Sequence, residues 1–329
     1  MSNKKRLIVI DGMNAFYRSY AVNPTMNANG DHIGGYVGFF KTLQKIARYT
    51  EPDDIIVAWD GPGGSKKRRS INKNYKEGRK PVKRYNRTYE HTISPKEEEQ
   101  NKGWQIAQTI ELLNTTPVKQ LLFNNIEADD LIAYVVKSDV YQEWQKVIVS
   151  NDRDFMQLLN EDTVLYRPVT DAVVTRDTVL SEYEIHPENM TIARAIIGDK
   201  SDNLEGVSGV GEKTVVKCFP ELSGSSKIYL SDIFDKAKNP PRELKAYSDI
   251  YKKRSKIQEN YKIMQLYEPS IRFNAAQEID EILLEDQVYF AKNDWRVKQI
   301  TDGFPMDYDW STIEFTFKNI VNTVRNKHE

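Results

Sequence analysis

Nine carboxylates between residues 11 and 202 fall in five short groups: Asp11 in VIDGMN, Asp60 in AWDG, Glu127, Asp129 and Asp130 in IEADD, Asp152 and Asp154 in SNDRDF, and Asp199 and Asp202 in GDKSDN. Taken singly, an Asp after a strand or at a helix start is ordinarily a turn former or an N-cap. Nine acids gathered at one edge are a different matter, because like charges a few Å apart stay ionised together only when cations neutralise them. Oxygen-only ligands call for hard ions, Mg²⁺ with Mn²⁺ as its substitute. Paired ions of this kind hydrolyse phosphodiesters. One lowers the pKa of the attacking water, the other stabilises the leaving oxygen, and no nucleophilic side chain is required. Structural zinc does not fit, since His32, His91, His186 and His328 are scattered and Cys218 is the single cysteine. That lone cysteine also excludes an intrachain disulfide and fits a reducing compartment.

To act together these acids need a scaffold. RLIVI at 6–10, IIVAW at 55–59, VKQLLF at 118–123 and KVIVS at 146–150 are short apolar, β-branched runs that predict strands. Helical patterns intervene: Val37, Phe40, Leu43, Gln44 and Ala47; Trp104, Gln108, Glu111 and Leu112; and Leu131, Val135 and Val136. Strands alternating with helices imply an α/β fold with a mostly parallel central sheet flanked by helices. Asp11, Asp60 and Asp152 then follow the carboxyl ends of strands, the edge at which open α/β sheets bind ligands. Residues 163–175 read as a hairpin turning near 169–171, after which helical patterns run to about 270, including a basic helix at 245–262. A chain of 329 residues supports one principal α/β domain with additions. The expected division is a metal-binding core over 1–180, with a basic insertion at 64–100, and a mainly helical region over 181–329. Trp295, Trp310, Phe315 and Phe317 give the last fifty residues enough apolar mass to dock on the body.

A net charge of -1 conceals a strong asymmetry. Between residues 66 and 87 the chain carries Lys66, Lys67, Arg68, Arg69, Lys73, Lys76, Arg79, Lys80, Lys83, Arg84 and Arg87 against Glu77 alone. A dense basic tract on an acidic molecule suits a polyanion, and Tyr75, Tyr85 and Tyr89 interleave aromatic faces on which bases can stack. Lys80, Lys83 and Arg84 are thus candidates for holding phosphates. Inserted after the strand that carries Asp60, the tract is placed to gate the acidic edge. Residues 206–214, GVSGVGEKT, put Gly206, Gly209 and Gly211 before a helix, where backbone N–H groups approach phosphates closely and Lys213 adds charge. A tight connection between two helices uses the same residues, and the spacing is not that of a Walker loop. The start MSNKKRLIVIDG is far too short in apolar residues for a signal peptide, and no later run reaches the length of a membrane span, so a cytoplasmic location is expected; the expected assembly state is a monomer.

Eight segments, VIDGMN, GGYVGFF, AWDG, YKEGRKP, IEADD, SNDRDF, GDKSDN and GVSGVGEKT, occur in this order between about Leu7 and Phe219. In content and spacing the chain resembles the 5′-nucleases that include phage 5′-exonucleases, bacterial polymerase-associated 5′-nuclease domains and flap endonucleases. The resemblance implies a PIN-like core with a helical arch and a helix-turn-helix-like DNA-binding element in the carboxy-terminal part. It implies that all nine carboxylates bind divalent ions. It places Lys76 and Arg79 at the scissile phosphate, with Tyr75 stacking on a base beside it. Gly209, Gly211 and Lys213 would grip the duplex, with a monovalent ion, here potassium, held by carbonyls around Val207 and Val210. Its implied substrates are branched or 5′-ended DNA and RNA–DNA duplex, met while removing RNA primers or 5′ flaps in replication, in a bacterial cell and in the manner of phage enzymes. With no polymerase domain following, a stand-alone enzyme is expected, its segment after about residue 275 open to a single-strand-binding protein. Three rivals are weighed. A haloacid-dehalogenase-like phosphatase needs an Asp where Met13 stands. A PIN-type ribonuclease would not need the glycine hairpin or the basic insertion, and a noncatalytic junction-binding protein would not need the full acid set.

Overall fold

The four apolar runs become strands because their side chains can be buried on both faces of a sheet. In the computed structural model, which describes residues 4–79, 82–83 and 94–326, they are β1 (Arg6–Asp11), β2 (Asp54–Trp59), β3 (Lys119–Leu122) and β4 (Gln145–Val149). The hairpin supplies β5 (Thr163–Arg167) and β6 (Ala172–Val174). The sheet order is β3-β2-β1-β4-β5-β6, parallel throughout except for β6. Successive strands leave β1 first toward β2 and β3, then on its other side toward β4 and β5. The chain therefore switches direction at β1, and the crevice at the carboxyl ends of β1 and β4 is where such sheets bind ligands. Register does the rest: Asp11 pairs with Ala58 and Ile10 with Val149, so Asp11, Asp60 and the Ser150–Asp154 turn share one edge.

Side-chain alternation divides the core into two layers. Leu7, Val9, Ile56 and Ala58 face helices α5 (Ala128–Lys137) and α7 (Pro187–Ile197), while Ile8, Ile10, Ile55 and Val57 face α1 (Gly12–Val22) and α2 (Gly34–Thr50). Val37, Phe40, Leu43, Gln44 and Ala47 are buried on α2 as the sequence pattern requires, and so are Leu131, Val135 and Val136 on α5. Helix α4 (Pro95–Leu113) differs. Trp104 and Glu111 point outward, and the buried side is Lys102, Gln105, Thr109, Leu112 and Leu113. Gln105, fully buried, accepts a hydrogen bond from the Tyr36 backbone N–H at 3.1 Å and donates to the His32 carbonyl at 2.7 Å. This face is cohesive through hydrogen bonds, so apolar periodicity does not reveal it.

The remaining positioning elements are the basic tract's short helix α3 (Lys66–Ile71), α6 (Arg176–Tyr183), the two-residue pair β7 (Gly198–Asp199) and β8 (Leu204–Glu205), and α8 (Glu212–Cys218), which starts within the glycine segment. Helix α9 (Leu230–Lys238) follows, and the expected basic helix is two, α10 (Lys245–Lys252) and α11 (Arg254–Met264), broken at Lys253. Helices α12 (Phe273–Leu284), α13 (Lys292–Thr301) and α14 (Ser311–Arg325) close the chain. Aromatics of this last segment dock on α2: Phe304, between α13 and α14, stacks edge-on to Tyr36 with ring centroids 4.6 Å apart, and Trp295 to Phe40 at 5.1 Å. Trp310 and Phe317 join this layer, whereas Phe315 faces solvent. Both halves of the chain thus contribute to each core layer. Among the described residues no helix is long and apolar enough to cross a membrane.

Candidate active site

Asp11 ends β1 and caps α1, accepting the Asn14 N–H at 3.1 Å and the Ser150 hydroxyl at 2.9 Å. Asp60 leaves β2 and accepts the Ala128 N–H at 2.9 Å, so it caps α5 from a distant part of the chain. The approach is close: a Cβ on Gly61, the residue after Asp60, would stand 1.7 Å from the Phe123 carbonyl oxygen, which restricts the position to glycine. Asp152 caps the 3₁₀ turn Arg153–Leu158 through the Asp154 N–H at 2.8 Å. Two helix amino termini and one short turn therefore direct N–H groups at these acids, an arrangement that offsets part of their charge.

Asp11, Asp60, Asp129 and Asp152 line one cleft of about 660 Å³ together with Lys76 and Arg79. Among the described residues none of the four forms an ion pair, and they repel one another. Burial, with the charges of Asp60 and Asp152, pushes Asp11 up to about 7. Burial raises Asp129 well above the usual carboxylate range, Asp152 and Asp11 adding to the shift while Lys76 and Arg68 oppose it.

The other five carboxylates carry protein cations. Glu127 and Asp130, each 3 % exposed, share the buried Arg68, which contacts Glu127 and lies 2.7 Å from Asp130. Lys76 reaches Glu127 at 2.7 Å. Burial alone would raise Glu127, but Arg68 and Lys76 hold it below its ordinary value. Arg79 pairs with Asp202. Arg194 on α7 spans Asp154 at 2.6 Å and Asp199 at 2.5 Å. Asp154 is nevertheless pushed up to about 7 by burial and by Asp152, whereas Ser201 and Arg194 keep Asp199 low against its burial. With five acids drawn to cations and four repelling one another, no three acidic, histidine or cysteine groups among the described residues stand close enough to clasp one ion.

The basic segment is stitched to the acidic loop. Lys76 takes a left-handed backbone conformation, φ 56°, unusual for a residue with a side chain, and its N–H donates to the Asp202 carbonyl at 3.0 Å. Asn203 donates to the Asn74 carbonyl at 3.0 Å, and Arg79 to that of Ser201 at 3.1 Å. Lys76 and Arg79 are in this way fixed over the cleft. Tyr75 corrects the sequence reading: it is 2 % exposed, packed with Leu204, Ile263 and Met264, and offers no free face to a base. Its burial is what anchors the segment. Lys83 is exposed, while Lys80 and Arg84 lie outside the described residues, as do Tyr85, Arg87 and Tyr89.

The glycine segment borders the cleft's extension, which Glu212, Asp199, Arg194 and Asp152 line. Gly206 is pinned, since a Cβ there would stand 1.9 Å from the Ile197 carbonyl oxygen, whereas Gly209, at φ 74°, and Gly211 face open space. Lys213 is exposed, and Val207 and Val210 are buried, the Val210 N–H donating to the Val207 carbonyl at 3.1 Å. Sequence reasoning did not single out Arg68 or Arg194, because a buried cation reads like any surface one. Nor did it select Asn14, Tyr17 and Arg18 on α1, which line the cleft within two turns of Asp11.

Residues 6–184 match the family model described as 5′-3′ exonuclease, N-terminal resolvase-like domain. A 5′-3′ exonuclease of Buchnera aphidicola is 30% identical over 256 residues, covering 75% of this chain and 83% of its own. One from Aquifex aeolicus is 28% identical over 264 residues, covering 80% of this chain and 82% of its own. The chain also matches DNA polymerase I proteins of two Bacillus species, of which it spans 24% and 25%. Among solved structures, the flap endonuclease of bacteriophage T5 in complex with DNA and metal ions aligns with a TM-score of 0.67 at 20% identity, over 85% of this chain and 100% of that one, a likeness of fold. The chain therefore belongs to the 5′-3′ exonuclease family, as its eight motifs implied, and is a nuclease of that family.

Proposed function

We propose that the protein is a structure-dependent 5′-nuclease, both 5′-3′ exonuclease and flap endonuclease, that hydrolyses phosphodiester bonds with bound divalent ions. The observation that carries this reading is the cleft in which Asp11, Asp60, Asp129 and Asp152 meet, none of them in an ion pair among the described residues, while Lys76 and Arg79, paired to Glu127 and Asp202, stand over them. The donor set fits hard ions: it is all oxygen, it is mutually repelling, and burial makes it costly unless a cation is added. Mg²⁺ is the ion proposed, with Mn²⁺ replacing it, and the neighbouring T5 enzyme has divalent ions, zinc in one structure, bound to it. Asp11, Asp60, Asp129 and Asp152 would hold the ions, and Glu127, Asp130, Asp154, Asp199 and Asp202 would add to the set. When bound, such ions activate water and stabilise the leaving oxygen.

The chain's own residues supply the rest. Lys76 and Arg79 orient the scissile phosphate and offset its charge. Lys83 and the basic tract hold the approaching strand. Gly209, Gly211 and Lys213 grip the duplex backbone in a helix-turn-helix-like element, with K⁺ held by the Val207 and Val210 carbonyls. Substrates are branched or 5′-ended DNA and RNA–DNA duplex, and the role is removal of RNA primers or 5′ flaps in replication, by a monomer. The outward Val297, Ile300 and Phe315 are left free for a replication partner such as a single-strand-binding protein.

A panel of labelled substrates tests the reading: a 5′ flap, a nicked duplex, an RNA–DNA hybrid and a single-stranded RNA of equal length, each with Mg²⁺. Products cut at the junction and at recessed 5′ ends, with the single strand spared, are expected. Preferential cleavage of the single-stranded RNA would favour a PIN-type ribonuclease instead.

A further inference from the structure

The protein's own cations divide the nine carboxylates unequally, and the division has a consequence for ion binding that rests on the metal-dependent reading above. Arg194 stands in the last turn of α7 with its side chain 13% exposed, between Asp154 at 14% and Asp199 at 19%. Its Nε donates to Asp154 Oδ1 and its Nη2 to Asp199 Oδ2, one nitrogen to each acid, so a single guanidinium bridges both. The remaining Asp199 oxygen already accepts from the Ser201 N–H and hydroxyl, each at 2.6 Å. Both Asp199 oxygens are thus engaged. An ion reaching this side of the centre meets Arg194 already bonded to both acids and has to compete with its charge, whereas Asp11, Asp60, Asp129 and Asp152 form no ion pair among the described residues. The site is also held in place by backbone: Gly198, at φ 82°, packs against Gly206 so closely that a Cβ would stand 2.4 Å from its nitrogen, which fixes Asp199 relative to α7.

We propose that Arg194 is a positioning residue that holds Asp154 and Asp199 together in the absence of metal and competes with a divalent cation for them, so that one ion binds tightly and a second weakly. A guanidinium is permanently charged, so the competition persists across the working pH range. Arg194 keeps two partly buried acids from repelling when no ion is present, and it lowers the affinity of the ion that they help to bind.

Calorimetric titration of Mn²⁺ into the full-length, metal-free protein without DNA tests this. The wild type should show a tight and a weak event. Arg194→Met should tighten the weak event by about tenfold, the effect of removing one competing charge contact at partly buried acids, and leave the tight event unmoved. Arg194→Lys, which restores the charge, should return the weak event toward the wild-type value. If Arg194→Met does not fold, Arg194→Gln carries the same expectation. A weak event that is unchanged or weakened in Arg194→Met or Arg194→Gln overturns the proposal, leaving Arg194 a structural residue, while the nuclease reading stands. A wild type that binds no divalent ion would overturn both, and Asp11→Asn, expected to abolish the tight event, separates that failure from poor protein.

Discussion

The two ends of the sheet each bury an aspartate to the same degree, and they treat it in opposite ways. At the amino edge Asp54 is 7 % exposed, and its carboxylate is satisfied by Lys119 at 2.8 Å and the Tyr141 hydroxyl at 2.6 Å; Lys119 in turn donates to the Leu283 carbonyl at 2.9 Å. At the carboxyl edge Asp11 is also 7 % exposed, but its neighbours include Asp60 and Asp152, and no cation answers it among the described residues. A fold that can neutralise a buried acid at one edge and does not at the other has left that second edge for something brought from outside. Asp54 fastens α12 to the sheet, and Asp11 is kept ready for a cation.

Substitution at the two edges should therefore separate activity from stability. The largest effect is expected from Asp11→Asn, which should lower the single-turnover cleavage rate by about a thousandfold or more with the fold intact, as for loss of a ligand to a catalytic ion. Lys119→Met at the opposite edge should instead cost about 3 kcal/mol of stability, because Asp54 is left buried and unpaired, with the rate per folded molecule unchanged. Equal damage to activity from both would erase the distinction. Next in size, Lys76→Ala with Arg79→Ala should slow single-turnover cleavage by about a hundredfold, more than it weakens duplex affinity, because these cations act on charge at the phosphate. An intact rate with weakened binding would place them away from the scissile bond.

The smallest effect is a pH dependence. Asp11, with an ordinary value near 4, is raised to about 7 in the folded state, as is Asp154, so the folded protein keeps protons that the unfolded chain has released. The contribution of these two acids to metal-free stability should be fullest below about pH 4 and be lost as pH rises through about 7. Excess Mg²⁺ should reverse the loss, and Asp11→Asn should flatten the metal-free curve. A metal-free protein equally stable at pH 4.5 and 7.5 would mean that the acids are neutralised in some other way.

Much of this was legible in the sequence, for identifiable reasons. β-branched runs gave the strands, and Asp11, Asp60 and Asp152 could be placed at one edge because a strand that ends in Asp or in a polar turn declares its direction. What could not be read was pairing. Arg68 looks no different from Lys66 or Arg69 in a charge-rich tract, yet Arg68 is 8 % exposed and holds two of the nine acids. Arg194 lies in the apolar second half of its helix, IARAII, a weak sign that only the fold turns into a bridge. Tyr75 reads as a stacking aromatic from composition, and its burial follows from contacts with residues almost two hundred positions away. On α4, hydrogen bonds hold the buried face, so a search for apolar spacing selected Trp104 and Glu111 instead of Gln105 and Thr109.

The most direct test is a duplex with a labelled 5′ flap, incubated with wild type and with Asp152→Asn, with Mg²⁺ for cleavage and with Ca²⁺ for affinity. The predicted result is Mg²⁺-dependent release of a short oligonucleotide cut near the junction by the wild type, lost in Asp152→Asn at unchanged affinity. Absence of cleavage by the wild type with any divalent ion, despite tight binding of the junction, would contradict the account and make the cleft a binding surface.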